Sequence, residues 1–377
     1  MIFKRTLHPV GQGAFFSEEF IEDSLDEVKF TVVYDCGEGN HKTCGKNLQR
    51  EINNTFLLKK NAPKTIDVLF LSHFDNDHIN GLNTLIDNEI ITSKTKVIIP
   101  FAYPLLLKEL LATDSLTDIL STVTITALKS LFGLETTIIG VDNSEVNDFS
   151  RENNIESLPD VLKNGISIST NDYWNYSVYN TTNDSDISAK FNNALSERNI
   201  EIKNLNDIEY IKSHITELKQ IYKNIGKGNN GVSAINVNSL QVFSYPNREN
   251  NLLYIRHLNS CSRCYYMFLH HIYGIKDKSF FSCLYTGDTI MNDDFFNKLR
   301  FLPKPIEMIQ IPHHGREKNY CKRILNENIT CGFTNFSTKY KANVFVKQIT
   351  KDFCLRQKPF FEITEDFHSC FELYVKL

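Results

Sequence analysis

The feature that most restricts the fold is the hexapeptide His73 to His78 (His-Phe-Asp-Asn-Asp-His), which follows directly on the run Ile66 to Leu71. This run is short and almost entirely apolar, which is typical of a strand buried on both faces of a sheet. Two imidazoles and two carboxylates therefore stand at the carboxyl end of a buried strand. The chain is expected to be an α/β protein whose chemistry begins at that strand end.

Other segments have the same strand pattern, beginning with Val28 to Tyr34, which runs into Asp35-Cys36-Gly37. The remaining predicted strands are Thr95 to Pro100, Gln241 to Tyr245, Tyr265 to His271, Phe280 to Tyr285 and Glu307 to Ile311. The last two lead into Thr286-Gly287-Asp288 and Pro312-His313-His314-Gly315. Further strand ends thus deliver residues that can bind a metal.

The length of 377 residues predicts one large sandwich with an insertion, or two modest domains. Residues 1–141 are expected to form the first half of the main domain and residues 238–377 the second half. Residues 142–237 are rich in Asn, Ser, Asp and Lys and are predicted to be an inserted, partly helical subdomain. Apolar residues at helical spacing over 208–222 favour a helix that packs on the sandwich, with a substrate lid or a protein-partner surface as alternatives.

Composition restricts the function and the cellular setting. A formal net charge of -4 provides no chain-wide basic field, so a nucleic acid would have to be held locally, partly by metal. The nine cysteines are odd in number and scattered, which favours reduced thiols. Neither a signal peptide nor an apolar membrane span is recognisable, so a soluble, cytoplasmic protein of unknown oligomeric state is expected.

The hexapeptide His73 to His78 allows two interpretations. Its Asp and Asn residues could simply cap the next helix. Four potential ligands in six positions, together with Thr-Gly-Asp and Pro-His-His-Gly further along, instead favour a metal site. Mixed imidazole and carboxylate donors suit Zn²⁺ or Mn²⁺, and the absence of thiolates from the motif argues against a structural cysteine site.

At this point the sequence resembles a known group. His-x-Asp-x-Asp-His is similar to the signature of the metallo-β-lactamase superfamily, in the variant with Asp at the third position. The order of Val10-Gly11-Gln12-Gly13, Tyr34-Asp35-Cys36-Gly37, Leu284 to Asp288 and Ile311 to Gly315 resembles the soluble metallohydrolase domains of competence-type DNA-uptake proteins. This resemblance implies an αββα sandwich.

The resemblance also implies two divalent metal ions. His73 and Asp75 would hold one metal, Asp77 and His78 the other, and Asp288 would bridge both. One of His313 and His314 would complete the second metal, with His313 as the expected ligand, while the other would face substrate or donate a proton. We expect Asp77, His314 and Arg316 to act in catalysis, with Asp77 orienting the nucleophile.

The sequence also departs from the resemblance. Arg316 follows Pro-His-His-Gly where the group usually has Ser, and it could bind a phosphate oxygen or lie on the surface. Ala14 stands where Asp is common. The segment Asn335 to Asn343 contains no histidine, although the group has an Asn-x-Tyr-x-His-Pro-like element there.

Weaker signals concern isolated residues. Cys261 and Cys264 form a lone C-x-x-C, which favours ordinary strand cysteines over a zinc or redox pair. His270 and His271 are adjacent in a predicted strand, so at most one of them could face a metal. His8 is expected to pack at the surface or to support the site, and Asn259-Ser260 loosely matches an Asn-x-x-Ser element of the relatives.

The leading functional hypothesis is a metal-dependent phosphodiesterase that cleaves nucleic acid or nucleotides, because a carboxylate-rich dinuclear site suits anionic oxygens. One alternative is an esterase or phosphoesterase for small molecules. The other is a binding protein that keeps the fold without turnover. A superfamily fold alone does not decide among these.

Overall fold

The structure is a computed structural model, and most of the chain can be described. The described residues are 1–39, 46–58, 61–100, 136–142, 152–159, 161–170, 173–180, 193–201, 204, 210, 213–214, 216–218, 220–221, 239–247, 253–257, 281–340 and 344–377. The strand predicted over Tyr265 to His271, the Cys261 and Cys264 pair and Asn259-Ser260 lie outside these residues.

One mixed sheet contains the strand that precedes the hexapeptide. Among the described residues it has nine strands in the order β12-β17-β1-β2-β3-β4-β5-β6-β8. Strands β3 to β6 and β8 run parallel, while β17, β1, β2 and β3 pair antiparallel. The bounds are β1 (Ile2–Leu7), β2 (Phe15–Glu22), β3 (Glu27–Cys36), β4 (Val68–Phe70), β5 (Lys96–Pro100), β6 (Thr137–Val141), β8 (Val161–Leu162), β12 (Leu253–His257) and β17 (Phe371–Lys376).

The second sheet carries the later motifs. Within the described residues its eight strands have the order β16-β15-β14-β13-β11-β10-β9-β7, and β13 to β16 are parallel. The bounds are β7 (Glu152–Asn154), β9 (Ser167–Ser169), β10 (Trp174–Tyr179), β11 (Gln241–Pro246), β13 (Cys283–Tyr285), β14 (Met308–Gln310), β15 (Cys331–Asn335) and β16 (Phe360–Ile363).

Short helices follow several of these strands. They are α1 (Lys46–Ile52), continued by a π-helix (Asn53–Leu57), then α2 (Asn76–Ile79), α3 (Leu82–Asp87), α4 (Asp293–Leu299) and α5 (Val344–Leu355). Asn292 caps α4 by accepting a hydrogen bond from the backbone amide of Phe295. Helix α5 is amphipathic and buries Val346, Ile349 and Phe353. No helix in the described part of the chain is long and apolar enough to cross a membrane.

Three apolar clusters hold the layers together. The central cluster joins the inner faces of the two sheets, where the ring of Phe16 lies 5.3 Å from Tyr285 and 5.5 Å from Phe333. A second cluster packs α1 and α3 on the outer face of the first sheet, and a third packs α4 and α5 on the outer face of the second. The order of layers is therefore helix, sheet, sheet, helix, as predicted.

The segment predicted as an insertion contributes to both sheets. Strand β8 pairs with β6, whereas β9 and β10 join β11 in the second sheet. Strands β7 to β10, which lie within residues 142–237, are therefore strands of the two sheets. In the predicted helix, Leu218 and Ile221 are buried in the cluster that covers the first sheet.

Candidate metal centre

The predicted ligands converge at the carboxyl ends of four strands. His73 follows β4, and Asp35 lies near the end of β3 in the same sheet. Asp288 follows β13, and His314 follows β14 in the second sheet. Because the two sheets pack face to face, residues far apart in sequence meet at one edge of the sandwich.

The two imidazoles of the hexapeptide are fixed by a buried pair of partners. Nδ1 of His78 donates to the carboxylate of Asp35 at 2.8 Å, and Nδ1 of His73 lies 2.8 Å from the hydroxyl of Ser72. That hydroxyl donates to Asp35 at 2.6 Å, so it is left to accept from His73. When a cation is bound, each ring would therefore keep its hydrogen on Nδ1 and offer Nε2 to the cation.

Two groups of ligand-type side chains result, and they adjoin at His78. Ligand atoms of His73, His78 and Asp288 lie within 4.8 Å of one another, as do those of Asp77, His78 and His314. Asp75 is more exposed, and its carboxylate lies 3.7 Å from Nε2 of His73. All four ligand-type residues of the hexapeptide thus face one region together with Asp288 and His314.

Asp288 is held by neighbours on two strands. Its backbone amide donates to the hydroxyl of Ser239 at 2.9 Å, and that hydroxyl also lies 3.4 Å from Nδ1 of His73. The side chain of Gln310 accepts from the backbone amides of Thr286 at 2.8 Å and Gly287 at 3.2 Å. These contacts fix the loop after β13, so the Asp288 carboxylate can meet three histidines.

The turn Pro312–Gly315 gives its two histidines different surroundings. His313 and His314 have φ values of 50° and 55°, in the left-handed region that few residues other than glycine adopt. Nε2 of His314 lies 3.1 Å from the carboxylate of Asp77, and its Nδ1 donates to the carbonyl of Asn335 at 3.0 Å. Nδ1 of His313 lies 3.3 Å from Asp288, and its Nε2 lies 3.2 Å from the guanidinium of Arg316, which is exposed.

The electrostatics of the site favour positive charge. Burial acts to lower the pKa of His78, but the charges of Asp288 and Asp35 outweigh burial and raise it well above its usual range. Burial likewise acts to raise the pKa of Asp77, yet the hydrogen bond from His314 and the charge of His78 hold it below its usual range. The Asp77 carboxylate therefore stays ionised and contributes a negative potential.

The residues present fit a divalent cation. The Nε2 atoms of His73 and His78 are buried and have no hydrogen-bond partner among the described residues. They lie 3.7 Å and 3.3 Å from the carboxylate of Asp288, so a cation between these nitrogens and the carboxylate would bind both. Together with ionised carboxylates, this donor set matches the mixed nitrogen and oxygen ligands of Zn²⁺ and Mn²⁺ sites.

Glycines let an N-terminal loop approach the hexapeptide. Gly11 and Gly13 have φ values of +74° and +127°, and a Cβ on Gly13 would lie 2.8 Å from the carbonyl oxygen of Asp77. The backbone amide of Ala14 donates to the same carbonyl at 3.1 Å. At Gly13, the close approach of the two backbones therefore requires a residue without a side chain.

Comparison with known proteins agrees with this architecture. Residues 25–130 match the sequence profile of the metallo-beta-lactamase superfamily, a segment that includes β3, β4, β5 and the hexapeptide. The sandwich is a metallo-β-lactamase fold. A search among curated proteins found no match.

Three solved structures match this chain at low identity and with low TM-scores. A metallo-beta-lactamase fold protein, YhfI from Bacillus subtilis, is 9% identical with a TM-score of 0.45, over 98% of this chain and 99% of its own. A long form RNase Z from yeast is 10% identical with a TM-score of 0.32, over 82% of this chain and 32% of its own. A metallo-beta-lactamase superfamily protein from Sulfolobus tokodaii is 16% identical with a TM-score of 0.21, over 47% and 55% of the two chains. These scores carry no conclusion about activity.

Several residues that build the site were not identified from the sequence. Asp35 was noted only as part of a motif, and Gln310 and Asn335 received no role. Ser239 was missed because the Asn-x-x-Ser element was matched to Asn259-Ser260, whereas Asn236-Val237-Asn238-Ser239 directly precedes β11. His8 points away from the ligands, since its ring contacts Ser17 at 2.8 Å and stacks on Phe15 at 3.9 Å.

Proposed function

We propose that this chain is a metal-dependent phosphodiesterase that hydrolyses nucleic acid. The observation that carries the proposal is the pair of adjoining ligand groups that meet at His78, one with Asp288 and one with Asp77. A donor set this rich in carboxylates suits hard cations and anionic oxygen substrates. Two cations held there would supply Lewis acidity, making water a better nucleophile and offsetting the charge that develops on phosphate.

The geometry supports a specific assignment of the ligands. His73, Asp75 and Asp288 would hold one cation, and Asp77, His78, His314 and Asp288 the other. His314 is preferred to His313 as a ligand because its Nε2 shares the region of Asp77 and His78, whereas Nδ1 of His313 contacts only Asp288 among these carboxylates. This assignment exchanges the roles first expected for the two histidines.

His313 would then transfer a proton. Hydrolysis forms a bond from a water oxygen to phosphorus and breaks the bond from phosphorus to the leaving oxygen, which must gain a proton. The His313 side chain is 15% exposed and Arg316 lies beside its Nε2, so both can reach a substrate at the mouth of the site. With Arg316 turned to a phosphate oxygen, Nε2 of His313 would take up the proton of the attacking water and return it to the leaving oxygen.

Local positive charge supports a polyanionic substrate. Arg316 and Lys318 follow the turn that carries His314, and Lys339 follows β15, which ends at Asn335. All three cationic side chains are exposed. Since the chain as a whole is acidic, these exposed cations are the side chains that would contact a nucleic acid backbone.

The test is hydrolysis by protein loaded with Zn²⁺ or Mn²⁺. Substrates are bis-p-nitrophenyl phosphate, single- and double-stranded DNA and RNA, and, for the small-molecule alternative, p-nitrophenyl acetate and a lactone. We expect phosphodiester cleavage that is abolished in Asp77→Asn and His78→Ala. The matched controls Asp294→Asn and His368→Ala change exposed residues outside the site and should keep activity.

Each outcome decides among the hypotheses. Phosphodiester cleavage lost only in the site variants supports the proposal, and the preferred polymer names the substrate. Ester or lactone hydrolysis without phosphodiester cleavage would replace it by a small-molecule hydrolase. Bound metal without hydrolysis of any substrate would favour a binding protein that retains the fold.

A further inference from the structure

Asn335 links the end of the first strand to the turn that carries His314. It is the last residue of β15 and is 1% exposed. Its side-chain amide donates to the backbone carbonyl of His8 at 3.0 Å. Its own backbone carbonyl accepts a hydrogen bond from Nδ1 of His314 at 3.0 Å. A single residue thus contacts both the N-terminal loop and the candidate ligand.

The contact to His314 has a chemical consequence. Nδ1 donates to the Asn335 carbonyl, whereas Nε2 donates to the Asp77 carboxylate at 3.1 Å, and a cation bound there would take the place of the Nε2 hydrogen. An imidazole binds a metal through the nitrogen that its other hydrogen bond leaves free. The position of one backbone carbonyl therefore sets both the tautomer and the direction of this ring.

The turn needs such support because its backbone is strained. His313 and His314 both have positive φ, a conformation that persists only where the surroundings enforce it. Thr334 adds a second restraint, since its hydroxyl donates to the carbonyl of Ile311 at 3.1 Å. The end of β15 therefore contacts the turn at Ile311, which precedes the strained residues, and at His314, which is one of them.

The other end of the link is rigid. The ring of His8 is buried, stacks on Phe15 at 3.9 Å and contacts the hydroxyl of Ser17 at 2.8 Å. The backbone amide of His8 also donates to the carbonyl of Phe15 at 3.1 Å. The His8 carbonyl that accepts the hydrogen bond from Asn335 is therefore held by the β1–β2 pair. Through Asn335, this rigid pair restrains the position of His314.

We propose that Asn335 is a positioning residue. Its side chain is tethered to the rigid end of β1, and its backbone carbonyl is thereby held where it orients the His314 ring. The inference rests on the proposed function, because it takes His314 to be a metal ligand. Asn335 itself would touch neither metal nor substrate. Its loss should weaken metal binding at the His314 side of the centre even where the protein remains folded.

Asn180 provides a matched control. It is also 1% exposed, and its side-chain amide donates to the backbone carbonyl of Val141 at the same distance, 3.0 Å. It lies after β10 and is absent from the ligand groups. Changing either Asn to Asp keeps the shape but replaces the donor by an oxygen that faces a carbonyl. If Asn335 had only a structural role, the two substitutions would have equal effects on metal affinity and on melting temperature.

The experiment compares wild type, Asn335→Asp and Asn180→Asp. Zn²⁺ affinity is measured by chelator competition, ligand geometry by the visible absorption of bound Co²⁺, and folding by the melting temperature of metal-free protein. We expect Asn335→Asp to weaken one Zn²⁺ site by about 10–100-fold and to alter the Co²⁺ spectrum. Asn180→Asp should lower the melting temperature comparably and leave affinity and spectrum unchanged.

The outcomes separate the inference from the proposed function. If the wild type binds metal and both variants bind it equally well, the positioning role is overturned while the metal centre stands. If the wild type binds no metal, the proposed function itself fails. Should Asn335→Asp not fold, Asn335→Ser, which removes the amide without adding charge, is subjected to the same affinity and spectral comparison.

Discussion

The carboxylate of Asp35 accepts a hydrogen bond from Nδ1 of His78 at 2.8 Å. It also accepts from the backbone amide of Ser72 at 2.7 Å and from the Ser72 hydroxyl at 2.6 Å. That hydroxyl in turn contacts Nδ1 of His73. One buried carboxylate therefore sets the orientation of both imidazoles, in the way that carboxylates commonly support histidine ligands from behind.

The first prediction concerns Asp35→Asn. The amide oxygen can still accept from the Ser72 backbone, but the amide NH2 cannot accept from His78, so that ring loses its fixed tautomer. We expect metal affinity to fall by about 10–100-fold, measured by chelator competition. Asp67→Asn is the control, because Asp67 also accepts from a backbone amide, that of Thr31 at 2.7 Å, but lies outside the site. Equal metal affinity in both variants would contradict the orienting role of Asp35.

The second prediction separates the adjacent histidines. His314→Gln should reduce the number of metal ions bound per chain, because Nε2 of His314 lies with Asp77 and His78. His313→Gln should keep the metal content and lower kcat by about 10²–10⁴-fold, as expected for loss of a general acid. Metal content is measured by elemental analysis of the purified variants. Metal lost from His313→Gln and kept in His314→Gln would restore the assignment first made from the sequence.

Arg316 is the subject of the third prediction. Its guanidinium is exposed beside His313, where it can reach a substrate phosphate. A hydrogen bond to a charged group contributes about 1.5–3 kcal/mol, so Arg316→Gln should raise KM about 10–100-fold for a nucleic acid substrate. Arg356→Gln removes an exposed arginine that follows α5 and should leave KM unchanged. An unchanged KM in Arg316→Gln would mean that Arg316 is a surface residue without a role in binding.

The sequence predicted those parts of the site that directly follow an apolar strand. The buried strands before His73, Asp288 and His313 have apolar runs, and the ligands follow each run within a few positions. For this reason β3, β4, β5, β11, β13 and β14 agree with the predicted strands to within two or three residues at either end. The relation of Asp35 to His78 could not be predicted in the same way, since it depends on how parallel strands lie side by side.

Strands β1 and β2 escaped prediction for a related reason. Their charged residues, including Arg5 and Glu18, are characteristic of exposed positions, yet these two side chains are buried between the sheets and pair across the strands. Burial of a charge depends on a partner that is distant in sequence. Likewise, nothing local to Asn335 reveals that its backbone carbonyl accepts a hydrogen bond from the His314 ring.

The fourth prediction tests the buried pair. Arg5 donates to Glu18 at 2.7 Å, and Glu18 also accepts from the hydroxyls of Tyr176 at 2.6 Å and Tyr285 at 2.8 Å. Glu18→Gln leaves Arg5 as an uncompensated buried charge, which should lower the free energy of unfolding by about 3–5 kcal/mol in urea denaturation. Glu27→Gln breaks an exposed pair with Lys29 and should leave the urea midpoint close to that of wild type. Similar urea midpoints for the two variants would show that leaving Arg5 without its partner does not destabilise the folded protein.

The fifth prediction concerns pH. Burial raises the pKa of Asp67 above its usual value, although the hydrogen bond from Thr31 acts in the opposite direction. The folded state therefore binds this proton more tightly than the unfolded state, and Asp67 makes folding less favourable as pH rises from about 4. Asp67→Asn keeps an oxygen that accepts from Thr31 and removes the titration. Its melting temperature relative to wild type should increase as pH rises from about 4 to 7.

Glu365 provides a comparison, because its pKa is shifted in the opposite direction to that of Asp67. Burial acts to raise its pKa, but the hydrogen bonds from Thr338 outweigh burial and lower it below the usual value. Glu365 therefore stabilises the fold above the pKa of an unfolded glutamate, and this contribution is lost as pH falls through the lowered pKa. The melting temperature of Glu365→Gln should approach that of wild type at acidic pH and fall below it at neutral pH. If both variants shift in the same direction with pH, burial does not control the protonation of Asp67.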